Sequence, residues 1–153
     1  MIRSPQKRSF TFVNIIILLF FFSMGCKKPA TNPSVYMKAT INGQTFFGSN
    51  CVSTVANNYL FINGGNLTDT IGPSQFPQIN LILNTSGSTL TGTYVIDGVN
   101  NKAKLDSAIY VEYSSYSGTV TISSAKASYI SGSFQFTCSD STKVTNGAFT
   151  ASY

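Results

Sequence analysis

The groups able to do chemistry in this sequence are few: five carboxylates (Asp69, Asp97, Asp106, Glu112 and Asp140), three cysteines (Cys26, Cys51 and Cys138) and no histidine. Without an imidazole the chain lacks the commonest general base and metal ligand, and its own residues cannot assemble a Ser-His-Asp or Cys-His site. Acid-base work is left to a carboxylate pair, as in glycoside hydrolysis, which needs two acids about 5–10 Å apart across a cleft. The acids are scattered, however, and Asp69, Asp97 and Asp140 sit in turn-like stretches where a short side chain bonds nearby backbone N–H groups. No residue set provides zinc ligation, and no Asp-rich loop has calcium-binding spacing. Asn63-Gly64-Gly65-Asn66 lacks the Lys-Ser/Thr and helix of a phosphate loop and reads as a turn. The sequence therefore points away from an enzyme, and no cofactor or metal is expected.

Binding chemistry is better represented. In Tyr110-Val111-Glu112-Tyr113-Ser114-Ser115-Tyr116, extended chain puts Tyr110 and Tyr113 on opposite faces, so at least one ring is displayed outward. Tyr110 and Tyr116 are the candidate exposed aromatics, able to stack on a glycan or anchor a protein partner. Aromatic pairing across a sheet is the plainer account of the same residues. The absence of Trp removes the largest stacking platform.

The elements that would carry these residues follow from the N-terminus onward. Arg3, Lys7 and Arg8 precede an apolar stretch from Phe10 to Phe22, the layout of a signal peptide. The unbroken run Ile15 to Phe22 is far short of the roughly 20 residues that span hydrocarbon. Ser23-Met24-Gly25-Cys26 resembles a bacterial lipobox. That resemblance implies cleavage before Cys26, whose sulfur would carry diacylglycerol, with several acyl chains making the anchor effectively permanent. The expected layout is a lipoprotein signal peptide over 1–25, a lipid-anchored tether over 26–33 with two prolines, and one domain over 34–153.

With the leader removed, the net charge of +5 falls by the three charges of Arg3, Lys7 and Arg8 to +2, and no Arg remains. Such a domain lacks the electrostatic footprint of a nucleic-acid binder. Removal of Cys26 from the count leaves Cys51 and Cys138 as an even pair in an oxidising compartment, where a disulfide could persist. Two separate buried thiols fit the sequence equally well.

Across 34–153 the dominant signal is alternation with a period of two. Val35, Met37, Ala39 and Ile41 alternate with polar residues before Asn42-Gly43, a tight hairpin turn. Ile79, Leu81 and Leu83 repeat the pattern before a turn at Ser86-Gly87-Ser88. Ile109, Val111 and Tyr113 share a face, as do Val120 and Ile122. Ile130, Phe134, Phe136 and Cys138 oppose Ser131, Ser133, Gln135 and Thr137, and Phe149, Ala151 and Tyr153 close the chain after Asn146-Gly147. No segment reads as an amphipathic helix. The pattern predicts an all-β domain of about nine or ten antiparallel strands, as a β-sandwich or a small β-barrel. The longest connection falls between Gly64 and Pro77, and the aromatic C-terminal strand should be internal or well paired.

The leader with Gly25-Cys26, the opening Met37-Lys38-Ala39-Thr40-Ile41-Asn42-Gly43-Gln44, the segment Ile130-Ser131-Gly132-Ser133-Phe134-Gln135-Phe136 and the ending Val144-Thr145-Asn146-Gly147-Ala148-Phe149 resemble small uncharacterised Bacteroidota lipoproteins. That resemblance covers nearly all of the chain after the leader and implies an all-β domain of unknown function, with no catalytic residues to carry across. Asp69-Thr70-Ile71, Asp106-Ser107-Ala108 and Asp140-Ser141-Thr142 are similar to the tripeptide at which these bacteria O-glycosylate exported proteins, which marks Thr70, Ser107 and Ser141. Ordinary Asx-turn chemistry explains the same Asp-Ser/Thr pairs. By analogy with surface lipoproteins, which carry acids after the cysteine, basic Lys27-Lys28 implies an outer-membrane anchor with the domain facing the periplasm.

Three functions are compatible with these residues. The first is a non-enzymatic binding or structural accessory at the cell envelope, with a protein or glycan partner. A lipocalin-like carrier requires an apolar interior cavity. A carbohydrate hydrolase requires two acids converging across a cleft.

Overall fold

The alternation is realised as extended chain throughout the computed structural model, which describes residues 33–66, 76–86, 89–108 and 111–153. The expected signal peptide, Cys26, the expected tether as far as Asn32, Asp69-Thr70-Ile71, Gly87-Ser88, Ile109 and Tyr110 lie outside the described residues. Ten strands follow one another: β1 Tyr36–Ile41, β2 Gln44–Gly48, β3 Asn50–Ala56, β4 Tyr59–Gly65, β5 Gln78–Asn84, β6 Gly92–Ile96, β7 Lys102–Ala108, β8 Val111–Ala125, β9 Tyr129–Cys138 and β10 Lys143–Ser152.

Seven of them, β3, β4, β5, β7, β8, β9 and β10, close on themselves as a barrel. Neighbours are antiparallel except at the closure, where β3 meets β10 in parallel through Val52 and Ser152. Side chains reinforce that short seam: the Ser53 hydroxyl donates to the Ser152 carbonyl at 2.8 Å. Of the two architectures open to the sequence, the barrel is the one formed. It leaves fewer unpaired edges than an open sheet.

The remaining three strands are additions to this ring. The β1–β2 hairpin adds to β10, with Met37 opposite Phe149 and Ile41 opposite Val144. β6 lies along β8 beyond the stretch that β7 occupies. β10 therefore has partners β1, β9 and β3, which gives the aromatic C-terminal strand the internal position expected of it.

Most of the inward positions are those the alternation nominates. Met37, Ala39, Ile79, Leu81, Leu83, Val120, Ile122, Ile130, Phe134, Phe136, Phe149 and Ala151 are all buried. Val35 and Ile41 are only half-buried, and Tyr153, past the end of β10, is exposed. A barrel of this strand number has an interior about wide enough for side chains to fill. Burial of each large side chain contributes about 1.5–3 kcal/mol.

Several local readings change. Asn63-Gly64-Gly65 is not a turn but the end of β4, inside the sheet. A Cβ on Gly64 would fall 2.5 Å from the Met37 side chain, so the missing side chain is what lets β1 pack across this strand. The hairpin turn of this region is instead Asn57-Asn58, where both residues have positive φ (51° and 64°) as a type I′ turn requires. The face assigned to Ile109, Val111 and Tyr113 as one strand is divided, since β7 ends at Ala108 and pairs there with Val111 at the start of β8. Asn146-Gly147 does not separate strands. It forms a bulge inside β10, with Asn146 at φ 52° and a register shift between Val144 and Gly147.

The barrel has two distinct rims. One gathers the β1–β2 and β9–β10 turns, joined by Asn42 N–H donating to the Lys143 carbonyl at 3.0 Å, with the starts of β5 and β8 and the end of β7. The opposite rim gathers the Asn57-Asn58 turn, the β8–β9 turn and the end of β10, where Tyr153 N–H donates to the Ser128 carbonyl at 3.1 Å. Tyr36, at the start of β1, lies opposite Thr150 near the end of β10.

Candidate functional site

Where the β1–β2 hairpin crosses the first rim it leaves a cleft of about 400 Å³ against the ends of β4, β5 and β7. This falls in the size range of small-molecule sites, about 300–1,000 Å³. Its apolar lining comes from Ile41, Phe46, Phe47, Pro77 and Leu105, and its polar lining from Gln44, Thr45, Asn66 and Ser107. Phe46 and Leu105 are anchored in the core, whereas Phe47 is 59% exposed and lies parallel to the Tyr36 ring at 6.3 Å. Successive positions on β2 alternate between core and surface, which is why adjacent phenylalanines serve these two roles. Among the described residues none of the lining side chains is ionisable. That lining is suited to a ligand held by apolar contact and a few hydrogen bonds.

Sequence reading did not single out this cleft. Its residues come from three strands, β1, β2 and β7, and from Asn66 just after β4 and Pro77 just before β5, and only the crossing of the hairpin over the rim unites them. Ser107, nominated as a modification site, is exposed within it.

The four described side-chain carboxylates divide into two groups, and Asp69 lies outside the described residues. Asp97 and Asp140 hold their own turns, as their local sequence implies. Asp97 Oδ1 accepts backbone N–H bonds from Val99 (2.9 Å), Asn100 (2.8 Å) and Asn101 (3.0 Å). Those bonds, with Asn101 and Val99 foremost, lower its pKa to about 2. Asp140 accepts from Thr142 N–H at 2.9 Å and from the Thr142 hydroxyl at 2.7 Å, and its carboxyl is also held below the usual range.

Asp106 and Glu112 are not scattered. The β7–β8 pairing sets them directly opposite each other on the outer face of the barrel. Lys104 bridges to Glu112 at 2.9 Å, and Asn80 Nδ2 donates to Asp106 Oδ2 at 2.8 Å. Burial and then the neighbouring Glu112 charge push the Asp106 carboxyl up, against the pull of Asn80 and Lys104. The signal for this pair was their symmetric placement about a hairpin turn. The two acids share one open sheet surface rather than facing each other across a cleft, which is not the arrangement that glycoside hydrolysis uses.

Cys51 and Cys138 are both buried free thiols, so the bridge open to the sequence is not formed in this structure. The register gives the reason. Cys51 precedes Val52, the partner of Ser152 at the end of β10, whereas Cys138 follows Thr137, the partner of Lys143 at its beginning. Burial pushes the thiol of Cys51 up to about 12 and, with the Asp140 charge adding to it, that of Cys138 up to about 11. Both side chains fill core space.

Of the tyrosine candidates, Tyr113 packs against the core and Tyr116 is 59% exposed at a register shift in β8, while Tyr110 lies outside the described residues. Ser141 is exposed in the β9–β10 turn at φ 70°, and Thr70 lies outside the described residues. Among the described residues no three Cys, Asp or Glu side chains come together as a metal cage.

Comparison with curated proteins and with solved structures returned no match. A family model described as a domain of unknown function, DUF6252, matches residues 32–151, a span that takes in all ten strands but for the last residue of β10. A chain matched over the greater part of its length belongs to the DUF6252 family.

Proposed function

We propose that this protein is a cell-envelope lipoprotein, held to the membrane through acylated Cys26, whose barrel serves as a non-enzymatic binding or structural accessory. The observation that carries the reading is the leader: basic residues, an apolar run too short to span a bilayer, and Gly25-Cys26 just ahead of a β-domain that starts at Pro33. No helix among the described residues is long and apolar enough to cross a membrane. The basic Lys27-Lys28 pair supports an outer-membrane anchor with the barrel facing the periplasm. The resemblance to Bacteroidota lipoproteins supports the same placement, and the exposure of Ser107 and Ser141 is consistent with O-glycosylation there and at Thr70.

The test is Cys26→Ser. The native chain should float with membranes and give an intact mass that lacks residues 1–25 and carries acyl groups, and the variant should lose both properties. A variant still embedded with Met1 retained sinks the reading.

A carrier function is the second reading, favoured by the rim cleft. The barrel interior is occupied by packed side chains, so a carried ligand would sit at the rim, between Phe46, Phe47 and Leu105. A neutral glycan or a hydroxylated apolar molecule fits that lining. Binding of such ligands that survives Phe47→Ala and Thr45→Lys alike would remove the cleft from consideration.

A further inference from the structure

We propose that the cleft is a strand-addition site: an extended peptide segment of a partner protein pairs with the free edge of β2 and places one apolar side chain inside the cleft. This deepens the reading of the barrel as a binding accessory by naming its partner class, and it does not depend on the anchor at Cys26.

The register of the β1–β2 hairpin identifies the free backbone groups. Asn42 and Gly43, both at positive φ, make a two-residue turn, so the flanking Ile41 and Gln44 exchange backbone hydrogen bonds. Bonding pairs then recur at every second residue, at Ala39 with Phe46 and at Met37 with Gly48. Thr45 and Phe47, opposite Thr40 and Lys38, therefore turn their N–H and C=O groups away from β1. Among the described residues β1 is the sole strand paired with β2, and no backbone bond outside the strand ladders reaches those four groups. An unpaired row of this kind is a template for another chain, and the devices that blunt an edge are missing here. Gln44–Gly48 contains no Lys, no Pro and no bulge. The other terminal strand, β6, is treated differently. The Asn101 amide nitrogen donates to the Val95 carbonyl at 3.0 Å and its oxygen accepts from the Asn84 N–H at 2.9 Å, so one side chain bridges from β6 to β5.

The surroundings of β2 select the occupant. The cleft of about 400 Å³ is lined by every residue from Gln44 to Phe47 and by Asn66, Pro77, Leu105 and Ser107 of other elements. At Gly48 the edge is shut off, because a Cβ there would fall 2.7 Å from the Gly65 Cα. An edge this short, with β7 beside it, favours a single extended chain over the edge of a second folded barrel. Alternation then fixes where the side chains of that chain go. The residue opposite Phe46 points inward with it, toward Ile41 and Leu105, and is apolar because those neighbours offer it no polar partner. The two residues opposite Thr45 and Phe47 face outward, beside the Phe47 ring that lies parallel to Tyr36. Backbone bonds supply affinity in this mode, and the pocket for the alternate side chain supplies selectivity.

The test uses the full isotope-labelled chain in detergent micelles and a capped five-residue peptide that alternates threonine with leucine. Its addition should slow hydrogen exchange of the Thr45 and Phe47 amides several-fold and leave Phe46 and Gly48, already bonded to β1, unchanged. The same peptide with every amide N-methylated keeps its side chains and should not bind. Thr45→Pro removes a donor from the free edge at a position where an edge strand accepts proline, and should weaken binding about tenfold. Should that variant fail to fold, the N-methylated peptide makes the same comparison on the native chain. Unchanged exchange at Thr45 and Phe47 overturns strand addition. Equal binding of the N-methylated peptide also overturns it, while leaving the cleft as a ligand site, so the two readings fail separately.

Discussion

The wall formed by β8, β9 and β10 and the rim where the β1–β2 hairpin crosses β4, β5 and β7 use the same alternation to different ends. In the wall, Phe134 stacks with Phe136 at 6.2 Å and meets Phe149 at 6.3 Å, and a Cβ on Gly132 would press into the Phe149 ring at 2.8 Å. Each strand there has a partner on both sides, and the space is filled. At the rim, β2 is an edge strand, Phe47 is exposed, and a cleft of about 400 Å³ remains. The difference teaches that stability is concentrated where backbone and ring surfaces are interlocked, and that the surface available for recognition lies where a hairpin is laid across an incomplete edge.

That contrast can be broken in four places. Phe149→Ala should destabilise the protein by about 3–5 kcal/mol, read as a lower urea midpoint, because it empties the centre of the aromatic cluster. A loss near zero would mean that the wall does not carry the stability assigned to it. Gly64→Ala should cost about 1–3 kcal/mol by forcing Met37 off its packing position. Leu or Ile in place of Met37 should not relieve that loss, since the clash begins at the Met37 Cβ.

Phe47→Ala should cost less than about 1 kcal/mol, the scale of an aromatic pair, while weakening any ligand of the cleft. A large loss of stability with no effect on binding would reverse the roles of rim and wall. The smallest effect is expected at Asp97. Its folded pKa of about 2 lies below the ordinary value of 3.8, so its contribution is present above pH 3.8 and is lost as the pH falls through about 2. Asp97→Asn should flatten the stability profile in that window and leave the slope near neutrality unchanged. Urea titrations at a series of pH values check the sign.

Much of the wall was legible beforehand. Ile130 to Cys138 alternates cleanly, and its inward set is the buried set, because one face of that strand is pressed on the core along its whole length. Asp97 and Asp140 were legible as turn residues because their bonds reach only a few residues along the chain. β3 and β4 were harder to find. Asn57-Asn58 lacks the glycine that marks a type I′ turn, and Gly64-Gly65 resembles a loop although it lies in a strand. The cleft and the Asp106–Glu112 pair were not legible as units, since each is created by pairing between separate strands. The cysteine pair was open for the same reason: composition counts thiols, and only register separates them.

The sequence by itself determined that this chain forms strands, which faces of the clearest ones are buried, and that basic residues and the short apolar run Ile15 to Phe22 precede the β-domain. Those properties follow from local geometry, because side chains alternate every residue in extended chain and an apolar run has a length that can be counted. Only the tertiary structure decided that the strands close as a barrel through one parallel contact at Ser152, that Cys51 and Cys138 stay apart, and that a hairpin crossing one rim leaves a cleft. Closure and register depend on which distant strands pair, and no local pattern specifies that choice.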